Sequence, residues 1–243
     1  GDGRVVVSEI DILLAVLAVV LGAIVQGISG VGGGFIIVPL LAMIDVSFLP
    51  GPLVFGSLSI SIVMAWRERS HIDYRNTGII LAAIIPGSLA GAWLMAGVAS
   101  SQLGLMFGGV ILVAVLISLL GVHFPLNRIS GTLSGLLAGA MGASTGIGAP
   151  VLAILYQRVA GPTVRSTLAF VYTIASVFIL AALMTFDRFG LDEVSYGLLL
   201  VPGFILGYLL SRPLALYFDH GATRYVVLGV SAAAASSLIV NSL

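Results

Sequence analysis

Two short stretches carry residue types suited to holding a small ligand. The first is Gly27-Ile28-Ser29-Gly30-Val31-Gly32-Gly33-Gly34, and the second is Gly142-Ala143-Ser144-Thr145-Gly146-Ile147-Gly148-Ala149. Clustered glycines are poor helix interior, so each stretch predicts a break between two helical limbs. A helix that starts inside a protein exposes free N–H groups and the positive end of its dipole, and such an end attracts an anion. The second limbs should begin near Gly33–Phe35 and near Gly148–Pro150. Pro150 suits a first helical turn, where its missing N–H is no loss. The glycines let a ligand approach the backbone, and Ser29, Ser144 and Thr145 add hydroxyls. Gln26 adds an amide where the second stretch has Met141. Ser57 and Thr167 occupy matching places in the segments that follow. The expected binding set is Gln26, Ser29, Gly30, Gly32, Gly33, Gly34, Ser57, Ser144, Thr145, Gly146, Gly148, Ala149 and Thr167, and the expected ligand is small and polar or anionic.

Plainer readings compete with this one. Small residues spaced four apart let membrane helices touch. Gly87/Gly91 and Gly203/Gly207 are read that way. Hydroxyls in the segments after the breaks (Ser57, Ser59, Ser61; Ser166, Thr167, Tyr172, Thr173, Ser176) can instead bond back to their own helix carbonyls. Gly30-Val31-Gly32 lacks the third glycine of a dinucleotide fingerprint, and no strand–helix–strand context surrounds it. No nucleophile–base pair or acid lies within the apolar segments, so neither catalysis nor a buried carboxylate relay is expected. The histidines, His71, His123 and His220, fall in predicted loops without metal-ligand spacing. The chain has no cysteine. No metal or cofactor is expected, and no nucleic-acid partner either, the last because net charge is zero and no basic tract exists.

The elements that must position these residues follow from composition. The chain of 243 residues is 59% hydrophobic and 8% charged, with a mean hydropathy of +1.20. Soluble domains carry about 25% charged residues. The apolar runs are continuous and near the ~20 residues of a membrane crossing, which predicts an all-α integral membrane protein rather than a barrel. The run Ile12–Ala23 resembles a signal-peptide core, yet it leads straight into the first break and is read as mature structure.

The chain also repeats itself. Aligning Gly27 with Gly142 matches Leu21/Leu136, Ala23/Ala138, Ser29/Ser144, Gly33/Gly148 and Leu40/Leu155. Further on, Gly51-Pro52 matches Gly161-Pro162, and Pro86-Gly87-x-x-x-Gly91 matches Pro202-Gly203-x-x-x-Gly207. Two halves result, 1–125 and 126–243, together forming one membrane domain. Each has a glycine-broken hairpin (10–45; 129–158) and three transmembrane helices (51–66, 77–97, 103–121; 163–186, 194–212, 223–241).

Cytoplasmic loops collect arginine and lysine. The loop 67–76 carries Arg67, Arg69 and Arg75, whereas its counterpart 187–193 is acidic. Equivalent loops on opposite sides predict an inverted repeat. If each broken segment crosses an even number of times, Arg67, Arg69, Arg75, Arg128, Arg158, Arg165, Arg212 and Arg224 lie inside, and Arg4 and Arg188 outside. A single crossing would leave six inside and four outside. The even arrangement fits the charge rule and puts both termini outside the cytoplasm. Arg165 and Arg212 are read as snorkelling to the interface, with funnelling of an anion as the alternative.

These residues resemble a known family. Gly30-Val31-Gly32-Gly33-Gly34-Phe35-Ile36-Ile37-Val38-Pro39-Leu40-Leu41 looks like the first signature of the TauE/SafE sulfite-exporter family, also called the TSUP family. Val54-Phe55-Gly56-Ser57-Leu58 resembles the stretch that follows it, and Gly146-Ile147-Gly148-Ala149-Pro150 resembles the second signature. In the second signature Ala149 replaces a usual glycine. The resemblance implies a prokaryotic inner-membrane, multi-pass secondary transporter, an exporter of a small anion such as sulfite, a sulfonate or sulfoacetate. Two half-helices also make pores, so a passive anion channel is the alternative. The lipid bilayer and the small anionic substrate are the expected partners, and no residue pattern specifies an oligomeric state.

Overall fold

The computed structural model describes residues 7–99, 102–120, 125–156, 159, 161–214 and 220–242, without the side chains of 220–227 and 241–242. Among these residues ten α-helices run in order: α1 Glu9–Ser29, α2 Gly33–Ile44, α3 Gly51–Arg67, α4 Thr77–Ala96, α5 Leu103–Leu119, α6 Arg128–Thr145, α7 Ala149–Leu155, α8 Gly161–Thr185, α9 Leu191–Leu214 and α10 His220–Ser242. No strand occurs among the described residues. The predicted breaks fall at 30–32 and 146–148, and the second limbs begin at Gly33 and Ala149.

Local chemistry accounts for these bounds. α1 begins with a capping box, in which Ser8 Oγ accepts from Asp11 N at 3.1 Å. α6 begins likewise, with Asn127 Oδ1 accepting from Ser130 N at 2.9 Å. α1 and α6 both end on a glycine in the left-handed region, Gly30 at φ 77° and Gly146 at φ 84°. Glycine adopts this conformation without strain, and the left-handed turn ends each limb at that point.

Among the described residues, α1, α4, α8 and α9 are long and apolar enough to cross a membrane. α3 and α5, at 17 residues each, sit at the lower limit of a crossing. The outer surface is apolar: Leu13, Leu17 and Leu21 form an exposed stripe on α1, and Trp93, Leu206 and Leu209 are exposed elsewhere. Such a surface suits lipid rather than water.

The packing pairs helices across the two halves. α4 lies on α6 and α1 lies on α9. Each contact is made through the small-residue pairs. A Cβ at Gly87 or Gly91 would run into the carbonyl of Leu136 or Ala140, and one at Gly203 or Gly207 into that of Val16 or Val20. The packing reading of these glycines therefore holds. α3 packs on α8, and α5 on α10. The α3–α8 pair is antiparallel: Gly51 at the start of α3 adjoins Phe189 just past α8, and Glu68 just past α3 pairs with Arg165 near the start of α8.

These directions sort the charges. One end of the bundle carries Arg67, Arg69, Arg75, Arg128, Arg165 and Arg212 with Glu68 and Asp73. The other carries Glu9, Asp11, Asp45, Asp187, Asp192 and Glu193 with Arg188. Arg4, Arg158, His123 and the side chains of Arg224 and His220 lie outside the described residues.

Candidate functional site

The two breaks meet. A Cβ on Gly34 would lie 3.6 Å from Ile147 Cγ1, so the start of α2 faces the second break. They are not level, however. Gly30 lies against Arg165 at the start of α8, whereas Gly146 lies against Leu53 at the start of α3, toward the opposite end of the bundle. The glycines that end the two first limbs are thus staggered along the bundle, because α3 and α8 run in opposite directions.

A cavity of about 110 Å³ opens between the breaks. Gly33 and Gly34 line it from the first break, and Gly146, Ile147, Gly148 and Ala149 from the second. Its remaining walls come chiefly from α3 and α8, including Ser57, Ser61, Tyr172 and Ser176. A water needs about 10–15 Å³ of such space, so several waters or one small anion fit. No charged side chain lines the cavity.

Different side chains hold the two breaks in shape. Gln26 spans the first: its Nε2 donates to Gly30 O at 3.1 Å, and its Oε1 accepts from Gly33 N at 3.2 Å. In the second half Met141 stands where Gln26 does, and Thr145 takes over. Thr145 Oγ1 donates to Met141 O at 2.8 Å and accepts from Ile147 N at 3.4 Å. The amides of Gly34 and Gly148 have no hydrogen-bond partner among the described residues. α7 is only seven residues long, so it offers free N–H groups more than a full dipole.

Of the expected binding set, Gln26, Gly33, Gly34, Ser57, Gly146, Gly148 and Ala149 line the cavity. Ser29, Gly30, Gly32, Ser144, Thr145 and Thr167 do not. Ser29 is exposed, and its hydroxyl lies 2.8 Å from Val25 O and close to Val31 O. Gly30 and Gly32 supply the left-handed backbone of the first break. Ser144 bonds back to Met141 O at 3.3 Å. Thr167 Oγ1 accepts from Asp73 N at 2.9 Å and so fixes the loop after α3. Ser57 faces the cavity, but its proton is used on Val54 O at 2.9 Å. Back-bonding thus removes most of the expected hydroxyl donors.

Other residues replace them. Ser61 and Ser176, each 5% exposed, line the cavity and have no hydrogen-bond partner among the described residues. The Tyr172 hydroxyl is out of solvent contact, also unpartnered, and belongs to the same wall. A buried hydroxyl without a partner costs stability, so these donors are available to a ligand. Their signal in the sequence was the run of hydroxyls on α3 and α8. Which of them face inward is set by helix rotation, which the sequence does not show.

The lining residues therefore include two backbone amides and three hydroxyls without a partner among the described residues, in a largely apolar remainder. Such a lining has hydrogen bonds to give to a small polar or anionic ligand. No curated protein and no solved structure matches the chain. The family model described as "Sulfite exporter TauE/SafE" matches residues 14–238, nearly the whole chain, and with ten mostly apolar helices among the described residues, the chain is a multi-pass membrane protein that belongs to that transporter family.

Proposed function

We propose that the chain is a secondary transporter that exports a small anion such as sulfite, a sulfonate or sulfoacetate across a prokaryotic inner membrane. The observation that carries this reading is the single cavity assembled from both glycine breaks, lined by unpartnered donors and free of charge. The anion is held by the amides of Gly34 and Gly148 and by the hydroxyls of Ser61, Tyr172 and Ser176. Gln26 and Thr145 keep the breaks in the conformation that presents those amides.

The halves 1–125 and 126–243 act as inverted repeats. Exchange of the halves turns the α1–α9 contact into the α6–α4 contact, and the self-paired α3–α8 is antiparallel, which supports a two-fold axis lying across the helices. Placing the arginine-rich end in the cytoplasm satisfies the charge rule. Alternating access then rocks one half against the other around the cavity.

Counterflow tests the proposal. Proteoliposomes preloaded with unlabelled sulfite are diluted into labelled sulfite. A transporter gives a saturable uptake overshoot. Flux that rises linearly with concentration and carries current identifies a passive anion channel instead.

A further inference from the structure

Every charge on the helices around the cavity sits near a helix end. Glu9 and Asp11 stand at the start of α1, Arg67 at the end of α3, Arg128 at the start of α6 and Arg165 near the start of α8. On α9, Asp192 and Glu193 begin the helix and Arg212 lies near its end. α2, α4 and α7 carry no charge. Among the described residues that line the cavity, Tyr172 is the one titratable side chain. Ile60, Ile84, Ile147 and Leu152 in the wall are at most 2% exposed. An anion in this space leaves bulk water and touches no side chain of opposite charge.

Such a site discriminates by charge. The cost of taking an ion out of water rises with the square of its charge, so two charges cost about four times as much as one. The attraction returned by the amides and hydroxyls grows only in proportion to that charge. A cation in the wall would offset the difference, but the described arginines stand at the helix ends.

The wall also holds an acceptor. Ser57 Oγ donates its proton to Val54 O at 2.9 Å, which leaves its lone pairs for the cavity. An anion that keeps one O–H can donate to this oxygen. A fully ionised oxyanion meets it lone pair against lone pair.

Resting on the transport reading above, we propose that the site takes a singly charged oxyanion, and that sulfite occupies it as hydrogensulfite with its O–H donated to Ser57 Oγ. Burial without a countercharge favours the form of lower charge, so the bound ion keeps its proton. It crosses intact as HSO3⁻ and dissociates on the more alkaline side into a proton and the dianion. Each sulfite thereby carries one proton with it. A simple sulfonate is singly charged at any physiological pH and carries none. Sulfoacetate, with two charges, is the poorest fit of the anions named above.

Calorimetric titration of the purified protein from about pH 6 to about pH 9 tests this with three small anions. Sulfite loses its second proton within that range, methanesulfonate stays singly charged and sulfate stays doubly charged. Sulfite affinity should fall about tenfold per pH unit once that proton is lost, with one proton taken up from the buffer per ion bound, while methanesulfonate affinity stays within about twofold. Sulfate should bind about a hundredfold or more weakly than methanesulfonate. Ser57→Ala should weaken sulfite binding at the acid end of the range about two- to tenfold and leave methanesulfonate unchanged. Sulfite affinity that holds or rises with pH overturns the inference, as does sulfate binding as well as methanesulfonate. A parallel fall for methanesulfonate places the titration on the protein and overturns it too. Equal loss of both ligands in Ser57→Ala removes the contact to the ligand O–H. A wild-type protein that neither binds nor moves sulfite or methanesulfonate at any pH defeats the transport reading itself.

Discussion

Gly34→Ala is expected to change stability and affinity in opposite directions. Gly34 lies in the first turn of α2 with a negative φ, so alanine fits its backbone. The new methyl meets only Ile147, at 3.6, 3.7 and 4.0 Å, which is ordinary contact. Replacing glycine by alanine in a helix is worth about 0.5–1 kcal/mol. The empty protein should therefore be slightly more stable in detergent. That methyl is also added between two residues that line the 110 Å³ cavity, Gly34 and Ile147. One methyl is about the size of a water, so it takes the place of one of the few waters the space can hold. Crowding of this kind costs about 1–3 kcal/mol, which weakens sulfite binding by roughly 5- to 150-fold. Gly34→Val, with three added carbons, should leave too little room for an anion. Gly33 and Gly148 cannot serve this purpose, because a Cβ there would meet the carbonyl oxygen of Gly22 at 2.8 Å or of Ala138 at 2.6 Å, and loss of binding would be mixed with loss of packing. Thermal unfolding in detergent and calorimetric titration with sulfite provide the two readings. Wild-type affinity in both Gly34 variants would refute the placement of the ligand at the breaks.

Three further outcomes are expected. Gly146→Ala should destabilise the protein by about 1–2 kcal/mol, seen as a lower unfolding midpoint, because φ is 84° there and the new Cβ would lie 2.9 Å from Leu53 Cδ2. Tyr172→Phe should weaken sulfite binding by about 1.5–3 kcal/mol, the worth of a hydrogen bond to a charge, while Thr167→Val should leave affinity alone and cost stability about 1 kcal/mol through the lost Asp73 contact. Equal sulfite affinity in Tyr172→Phe and wild type would remove that hydroxyl from the site. Single cysteines at Arg69 and Asp192 should react with an impermeant reagent in whole cells only at 192, and equal labelling at both would sink the inverted topology.

Much of this architecture was legible in the sequence because the signals were local. The glycine clusters marked both breaks to within a residue or two, since only they allow the positive φ at Gly30 and Gly146. Pro150 and the hydrophobic lengths fixed the limbs. Gly87/Gly91 and Gly203/Gly207 were readable as helix contacts from spacing alone. The cavity wall was only partly legible. Thr167 matches Ser57 in the repeat, yet it accepts from the Asp73 amide while Ser57 faces the cavity. Rotation of each helix about its axis decides such differences, and tertiary packing sets that rotation. For the same reason Tyr172, Ser61 and Ser176 did not stand out from neighbouring hydroxyls that bond back to their own helices. The Arg165–Glu68 pair was hidden too, because Glu68 arrives from an antiparallel helix 97 residues away in the chain.

The central claim is that a small oxyanion sits between the two breaks and is held without a countercharge. An experimental structure with selenite, the heavier analogue of sulfite, tests it most directly, because anomalous scattering locates the ion without ambiguity. One peak is expected in the cavity, within hydrogen-bonding distance of the amides of Gly34 and Gly148 and of at least one hydroxyl among Ser61, Tyr172 and Ser176. A peak only against Arg212, or anywhere remote from both breaks, would contradict it.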